Sequence, residues 1–220
     1  MMKTKAVVFD AYGTLFDVNS AAEKCKTKIG PKWEIFSNFW RTTQLEYTWL
    51  RSLMKRHKNF WDITEDSLDK SMKVFNIDKK MKNDLLSLYK VLSPYPEVKG
   101  VLKDLKKKNF KLSILSNGTP DLLNELVENN KLNNLFDDLF SIEEVKVYKP
   151  DSRVYEIPIK KYNVKANEIT FLSANTWDVS GGGNYGYNSI WVNRNKLEFD
   201  ILDYHPKNEI NNLTHLLDIV

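Results

Sequence analysis

The chain has 220 residues, 42% hydrophobic and 28% charged, enough to bury a core without disulfide or metal staples. Lys and Arg number 33 against 29 Asp and Glu, a formal balance of +4 spread along the chain, and no arginine-rich stripe or binding motif marks a nucleic-acid partner. Cys25 stands alone and the three histidines, His57, His205 and His215, are scattered, which excludes an intramolecular disulfide and gives no His/Cys metal spacing. No stretch approaches the roughly 18 apolar residues of a membrane span. The first strand begins too soon after Met1 to leave room for a signal peptide, so a cytoplasmic protein is expected.

Lys5 to Asp10 opens the chain with a short continuous apolar run ending at a carboxylate and a glycine turn. Such runs suit strands buried on both faces of a parallel sheet. From about Asp17 to Ser93 no run of this kind occurs, and helical periodicity takes over. Ser20 with Glu23 forms a capping box, and Gly30-Pro31 ends that helix. Leu45, Trp49 and Leu53, with Leu50 and Met54, form a stripe at i, i+4 spacing. Thr64 can cap the next helix, which carries Leu68, Met72 and Phe75. Four of the six tryptophans (Trp33, Trp40, Trp49, Trp61) fall here and are expected to fill a core of this segment.

Pro96 then opens a helix over 97–107, with Val98, Val101, Leu102 and Leu105 on one face. The second strand, Lys111 to Leu115, leads into Ser116-Asn117-Gly118. Thr119 and Pro120 read as N-cap and first helical position before Leu122, Leu123, Leu126 and Val127. Pro150 precedes another helix, which Pro158 should kink or shorten. Ile169 to Leu172 leads into Ser173-Ala174-Asn175, and Ser189 to Val192 into Asn193-Arg194. Alternating strands and helices define an α/β fold, a doubly wound parallel sheet, with a helical insertion after the first strand. The expected division is a core of residues 1–16 and 94–220 and a helical unit of residues 17–93. The run Gly181-Gly182-Gly183 lacks the Lys-Ser/Thr of a phosphate loop and reads as a site of close backbone packing.

Polar residues at the carboxyl ends of parallel strands converge on one crevice. Here the ends carry Asp10, then Ser116 and Asn117, then Ser173, Asn175 and Asp178, with Lys149 and Tyr155 beside them. These motifs are similar to those of the haloacid dehalogenase superfamily. Phe9-Asp10-Ala11-Tyr12-Gly13-Thr14-Leu15 resembles its first motif, Ser116-Asn117-Gly118 its second, Lys149-Pro150 its third and Ser173 to Asp178 its fourth. The resemblance implies a Rossmann-like core, with the helical segment as a cap. Most members are magnesium-dependent phosphohydrolases with a second Asp two residues after the nucleophile and an acidic pair in the fourth motif. In this sequence those features are replaced by Tyr12 and by a single carboxylate, Asp178, a set poorly charged for Mg²⁺. Phe39-Trp40-Arg41, Gln44 to Tyr47, Trp49-Leu50-Arg51, Lys149 with Tyr155, and Ser173, Asn175, Trp177 and Asp178 resemble the L-2-haloacid dehalogenases in particular.

That resemblance implies hydrolysis of short (S)-2-haloalkanoic acids to (R)-2-hydroxy acids through an ester at Asp10, with no metal and no cofactor. Substrates of the size of 2-chloropropionate or chloroacetate are expected. Asp10 would be the nucleophile. Asp178 would activate water, Lys149 would pair with both carboxylates, and Thr14, Tyr155, Ser173 and Asn175 would hydrogen-bond around them. Ser116 and the Asn117 N–H, at a helix N-terminus, would bind the substrate carboxylate. Arg41, Asn117 and an aromatic edge from Trp177 or Phe60 would cradle the halide, with Tyr12 also lining the substrate site. A homodimer is expected. Two alternatives remain open: a Mg²⁺-dependent phosphohydrolase of the same superfamily, and a non-catalytic anion-binding protein. Arg41 also has a plainer reading, a surface salt bridge with Glu46.

Overall fold

The computed structural model describes residues 4–18, 23–24 and 26–220; Ser20 of the expected capping box and Cys25 lie outside the described residues. Six parallel strands form one sheet: β1 (Ala6–Phe9), β2 (Lys111–Ser116), β3 (Asp138–Ser141), β4 (Ile169–Ser173), β5 (Asn188–Val192) and β6 (Asn208–Ile210), in the order β3-β2-β1-β4-β5-β6. The four strands expected from apolar runs are all present. β3 and β6 are additions: β3 buries only its last two residues and β6 only Ile210, so neither shows a continuous apolar run.

Ala6, Val7, Val8 and Phe9 pair with β2 on one side and β4 on the other and are buried throughout. Burial on both faces explains why this strand is apolar without alternation. Strand order reverses between β1 and β4, so the crevice of an open α/β sheet opens beyond the ends of these strands. Asp10 stands there, its N–H bonded to the Leu172 carbonyl at 2.8 Å.

Seven helices of eight residues or more are described. Three precede β2 in the insertion: α1 (Trp33–Leu53), α2 (Phe60–Phe75) and α3 (Lys82–Tyr89). The others are α4 (Val98–Lys107), α5 (Pro120–Asn129), α6 (Ser152–Tyr162) and α7 (Thr176–Tyr185). Thr119 caps α5 as expected, its hydroxyl accepting the Leu122 N–H at 3.3 Å. Pro158, expected to kink or shorten α6, does not end it. α6 runs through the buried Pro158 to Tyr162 and ends on Asn163 in the left-handed region at φ 51°. Its packing outweighs the single N–H that proline withholds.

The insertion leaves and returns at one point. Phe16 bridges Pro94, and the Asp17 N–H bonds the Ser93 carbonyl at 2.9 Å. Within it, α1 buries Phe36, Ser37, Trp40, Thr43, Gln44 and Thr48. The expected stripe lies on a helix but only part of it turns inward: Leu45 and Trp49 are half-buried, while Leu50, Leu53 and Met54 are exposed. The buried row includes polar residues because α2 satisfies them. Gln44 Nε2 donates to Thr64 Oγ1 at 2.6 Å, and Trp40 Nε1 to the Thr64 carbonyl at 3.1 Å. Thr64 itself is not a cap. Asn59 caps α2 by accepting the Asp62 N–H at 2.9 Å, while Thr64 sits buried in the helix and donates to the Phe60 carbonyl at 2.7 Å.

Candidate active site

Asp10, on the turn after β1, is almost fully buried, and each of its carboxylate oxygens has protein partners. Lys149 Nζ donates to Oδ1 at 3.2 Å. Oδ2 accepts from Thr14 Oγ1 at 2.9 Å and from Asn175 Nδ2 at 3.1 Å. Gly13, at φ 89°, bends the chain back so that Thr14 can reach Asp10; a side chain there would be strained. Thr14 is held in turn by the Ala174 N–H, which donates to its hydroxyl at 2.8 Å.

Asp178 lies in the first turn of α7 and is completely buried. Its Oδ2 accepts from Lys149 Nζ at 2.8 Å and its Oδ1 from the Tyr155 hydroxyl at 2.7 Å. Lys149 thus bridges two carboxylates with its side chain 1% exposed. Burial works against the charged ammonium, but Asp10 and Asp178 outweigh it and hold the Lys149 pKa above its ordinary value. Burial pushes the Asp178 carboxyl up, opposed by Lys149 and by the Lys149 and Tyr155 hydrogen bonds, with Asp10 adding to the rise. Burial, then Asp178, raises the Tyr155 phenol well above its ordinary value, which keeps it a hydrogen-bond donor.

The glycine run belongs to this arrangement. A Cβ on Gly181 would lie 2.5 Å from Tyr155 Oη and 2.7 Å from Pro150 Cβ, so only glycine lets α7 approach α6 closely enough for Asp178 and Tyr155 to meet. Gly182 and Gly183 are filled against Phe171 and Tyr204 in the same way.

The remaining sequence-predicted residues surround the carboxylate in different ways. Ser173 Oγ accepts the Asn175 N–H at 3.1 Å, which orients the loop carrying the Asn175 amide. Asn117 Oδ1 accepts the Lys149 N–H at 3.2 Å and ties the second strand end to the lysine loop. Ser116 Oγ accepts the Gly118 N–H at 3.1 Å. The helix here begins only at Pro120, so Ser116 ends β2 and Asn117 lies in the turn before α5, neither at its N-terminus. Arg41 on α1 reaches over from the insertion. Its guanidinium donates to the Tyr12 carbonyl at 3.4 Å and to Gln44 Oε1 at 3.3 Å, in place of a pair with Glu46.

Tyr12 packs its ring on Phe60 at 5.4 Å, and Phe60 is 6.4 Å from Tyr148. Trp177 stands apart from that aromatic group. It packs edge-on against Trp49 at 5.5 Å, and both line a cleft of about 450 Å³ with Leu53, Tyr148 and Lys149. Tyr148 was not singled out from sequence. It joins the lysine loop to the insertion, its hydroxyl donating to the Lys58 carbonyl at 2.6 Å and its N–H to Ser52 Oγ at 3.1 Å. Its place immediately before Lys149-Pro150 was the available signal.

Among the described residues no group of three or more His, Cys, Asp and Glu side chains is placed to share a metal ion. The donor set at Asp10 does not fit Mg²⁺, because the Lys149 ammonium already lies between the two carboxylates where a bridging cation would have to lie.

A buried carboxylate at the end of the central strand, paired with a buried lysine and a second carboxylate, stands in the crevice where an open α/β sheet carries its site. The model of the haloacid dehalogenase-like hydrolases matches residues 4–186, and the chain belongs to that family. (S)-2-haloacid dehalogenase 4A of Burkholderia cepacia is 37% identical over 216 residues, covering 96% of this chain and 93% of that protein. A crystal structure of a dehalogenase superposes with a TM-score of 0.98 at 35% identity, over 100% of this chain and 98% of the other. The L-2-haloacid dehalogenase from Xanthobacter autotrophicus with chloropropionic acid covalently bound superposes with a TM-score of 0.91 at 32% identity, over 98% of each chain.

Proposed function

We propose that this protein hydrolyses the carbon–halogen bond of short (S)-2-haloalkanoic acids, giving (R)-2-hydroxy acids and halide. The observation that carries this reading is the Lys149 ammonium bridging buried Asp10 and Asp178. It leaves a carboxylate held for attack and a second one for water, with a resident cation in place of a metal. The (S)-2-haloacid dehalogenases similar over nearly the whole chain support the same reading.

An Asp10 oxygen attacks C2 of the substrate from the side opposite the halogen. The O–C2 bond forms, the C2–halogen bond breaks with its electron pair leaving on the halide, and the centre inverts. A halide leaves without a proton, so the absence of an acid at position 12 costs this displacement step nothing. Water then attacks the Asp10 ester carbon. Asp178 takes one of its protons and returns it to the departing alkoxide as the ester C–O bond breaks; the second water proton leaves to solvent, so the hydroxy acid is released and the Asp10 carboxylate restored. The raised pKa of Asp178 brings it nearer the range in which a general base works well.

Thr14 and Asn175 orient the Asp10 carboxylate, Tyr155 holds Asp178, and Ser173 holds the Asn175 loop. Ser116 and the Asn117 N–H receive the substrate carboxylate. Arg41 and Asn117, with an aromatic edge from Phe60 or Trp177 and the ring of Tyr12, face the departing halide, where positive charge stabilises the transition state. Residues 17–93 act as a cap over a core of residues 1–16 and 94–220. The protein works in the cytoplasm and as a homodimer; the exposed apolar end of α1, where Leu53 is 80% exposed, supports the dimer.

Chloride release from (S)-2-chloropropionate, insensitive to EDTA, is the expected result. Turnover of a chromogenic phosphate ester that strictly needs Mg²⁺, with no chloride release, would replace this reading by the phosphohydrolase one.

A further inference from the structure

Arg194, two residues beyond β5, carries no motif and takes no part in the chemistry above. Its side chain is 10% exposed, and both terminal nitrogens have partners while the buried Nε has none. Nη2 donates to the Thr14 carbonyl at 2.8 Å, and Nη1 pairs with Glu97 Oε1 at 2.7 Å. The guanidinium carbon lies 3.7 Å from the centroid of the Tyr95 ring, a close cation–π stack.

These partners sit on both crossings between the core and the helical insertion. Thr14 belongs to the outgoing segment, Tyr95 and Glu97 to the returning one. The two are also joined by the Tyr95 N–H to the Leu15 carbonyl at 3.0 Å and the Asp17 N–H to the Ser93 carbonyl at 2.9 Å. Thr14 is the same residue whose hydroxyl donates to Asp10 Oδ2. We infer that Arg194 is a positioning residue of the site: it clamps the two crossings together and, through the Thr14 backbone, sets the hydroxyl that aims the Asp10 carboxylate.

The choice of arginine follows from the geometry. One planar group must donate in two directions and present a flat face to an aromatic ring, which a lysine ammonium cannot do. The Tyr95 phenol, pushed up by burial, lies within the fields of Asp17, Arg194, Glu97 and Arg41, so the clamp also borders the arginine that reaches in from α1.

The role of Arg194 in turnover rests on the dehalogenase reading; its hold on Thr14 does not. The test therefore has two arms, on wild type, Arg194→Met and Arg194→Lys in the full chain. The first is steady-state kinetics with (S)-2-chloropropionate well below each variant's melting temperature. A misaimed nucleophile predicts kcat down by about 10- to 100-fold in Arg194→Met with KM little changed, and partial recovery in Arg194→Lys. The second is hydrogen–deuterium exchange of the Ala174 amide, which Thr14 Oγ1 accepts; its exchange should quicken in Arg194→Met and less so in Arg194→Lys. Where Arg194→Met does not fold, Arg194→Lys decides by the same two readouts. A lowered melting temperature with kcat and Ala174 exchange at wild-type values would overturn the inference and leave Arg194 a purely structural clamp. A wild-type protein that releases no chloride would count against the dehalogenase reading instead, and Ala174 exchange would still decide whether Arg194 positions Thr14.

Discussion

Replacing Lys149 by Met removes the cation shared by two buried carboxylates while keeping most of the aliphatic stem. At 3.2 Å and 2.8 Å, and with an effective dielectric constant of about 20, each contact is worth roughly 5–6 kcal/mol of gross attraction. Most of that offsets the desolvation of the ammonium. The net cost of breaking such a buried pair is about 3–5 kcal/mol, because the partner carboxylates stay behind without compensation. The loss has a pH signature. Without Lys149 one carboxylate of the pair has a folded-state pKa well above its unfolded value, so the folded variant binds an extra proton. Its stability then rises as pH falls towards the unfolded carboxylate value of about 4. Urea denaturation of wild type and Lys149→Met should therefore give a deficit of about 3–5 kcal/mol at pH 7.5 that narrows by at most about 1.4 kcal/mol for each unit of acidification. A deficit under about 1 kcal/mol at pH 7.5, or one that widens in acid, would show that the ammonium is not the counter-charge of this pair.

Three further outcomes follow from the same geometry. Tyr155→Phe removes a hydrogen bond that lowers the pKa of Asp178; that pKa rises further and the acid limb of the kcat profile moves up by about one unit, so an acid limb that stays or moves down refutes the base assignment. Gly181→Ala gains about 1 kcal/mol of helix propensity but drives a Cβ into Tyr155 Oη at 2.5 Å and Pro150 at 2.7 Å. Overpacking of about 1–3 kcal/mol should outweigh the gain, with a lower melting temperature and lower kcat together; a more stable, fully active variant would contradict the close α6–α7 contact. Thr64→Val takes away the acceptor of Gln44 Nε2 between α1 and α2 and should cost about 1–3 kcal/mol in chemical denaturation despite its apolar gain.

The site was legible in the sequence because its residues end buried strands or open helices, positions that apolar runs and caps mark clearly. Asp10, Ser173 and Asn175 are of this kind, and β1 and β4 bring them together. The Thr119 cap of α5 was legible, but Ser116 and Asn117 stand before it and not at the helix N-terminus. The buried face of α1 was misread for a different reason. Thr43, Gln44 and Thr48 look like surface residues and are buried, while Leu50, Leu53 and Met54 look like core and face outward. Hydrophobic spacing cannot register polar burial satisfied by a partner helix far along the chain. β3 and β6 were invisible because Asp138–Ser141 and Asn208–Ile210 bury too little to form an apolar run. Arg194 was passed over because its three partners, Thr14, Tyr95 and Glu97, come together only in the fold.

The central claim is that an oxygen of Asp10 becomes the hydroxyl oxygen of the product. A single turnover of (S)-2-chloropropionate in ¹⁸O water, with enzyme in excess and mass spectrometry of both product and the peptide containing Asp10, tests it directly. The account predicts unlabelled hydroxyl in the first product and one ¹⁸O in the Asp10 carboxylate. Label in the first product with none in Asp10 would mean that water attacks C2 itself, and the ester route would be wrong.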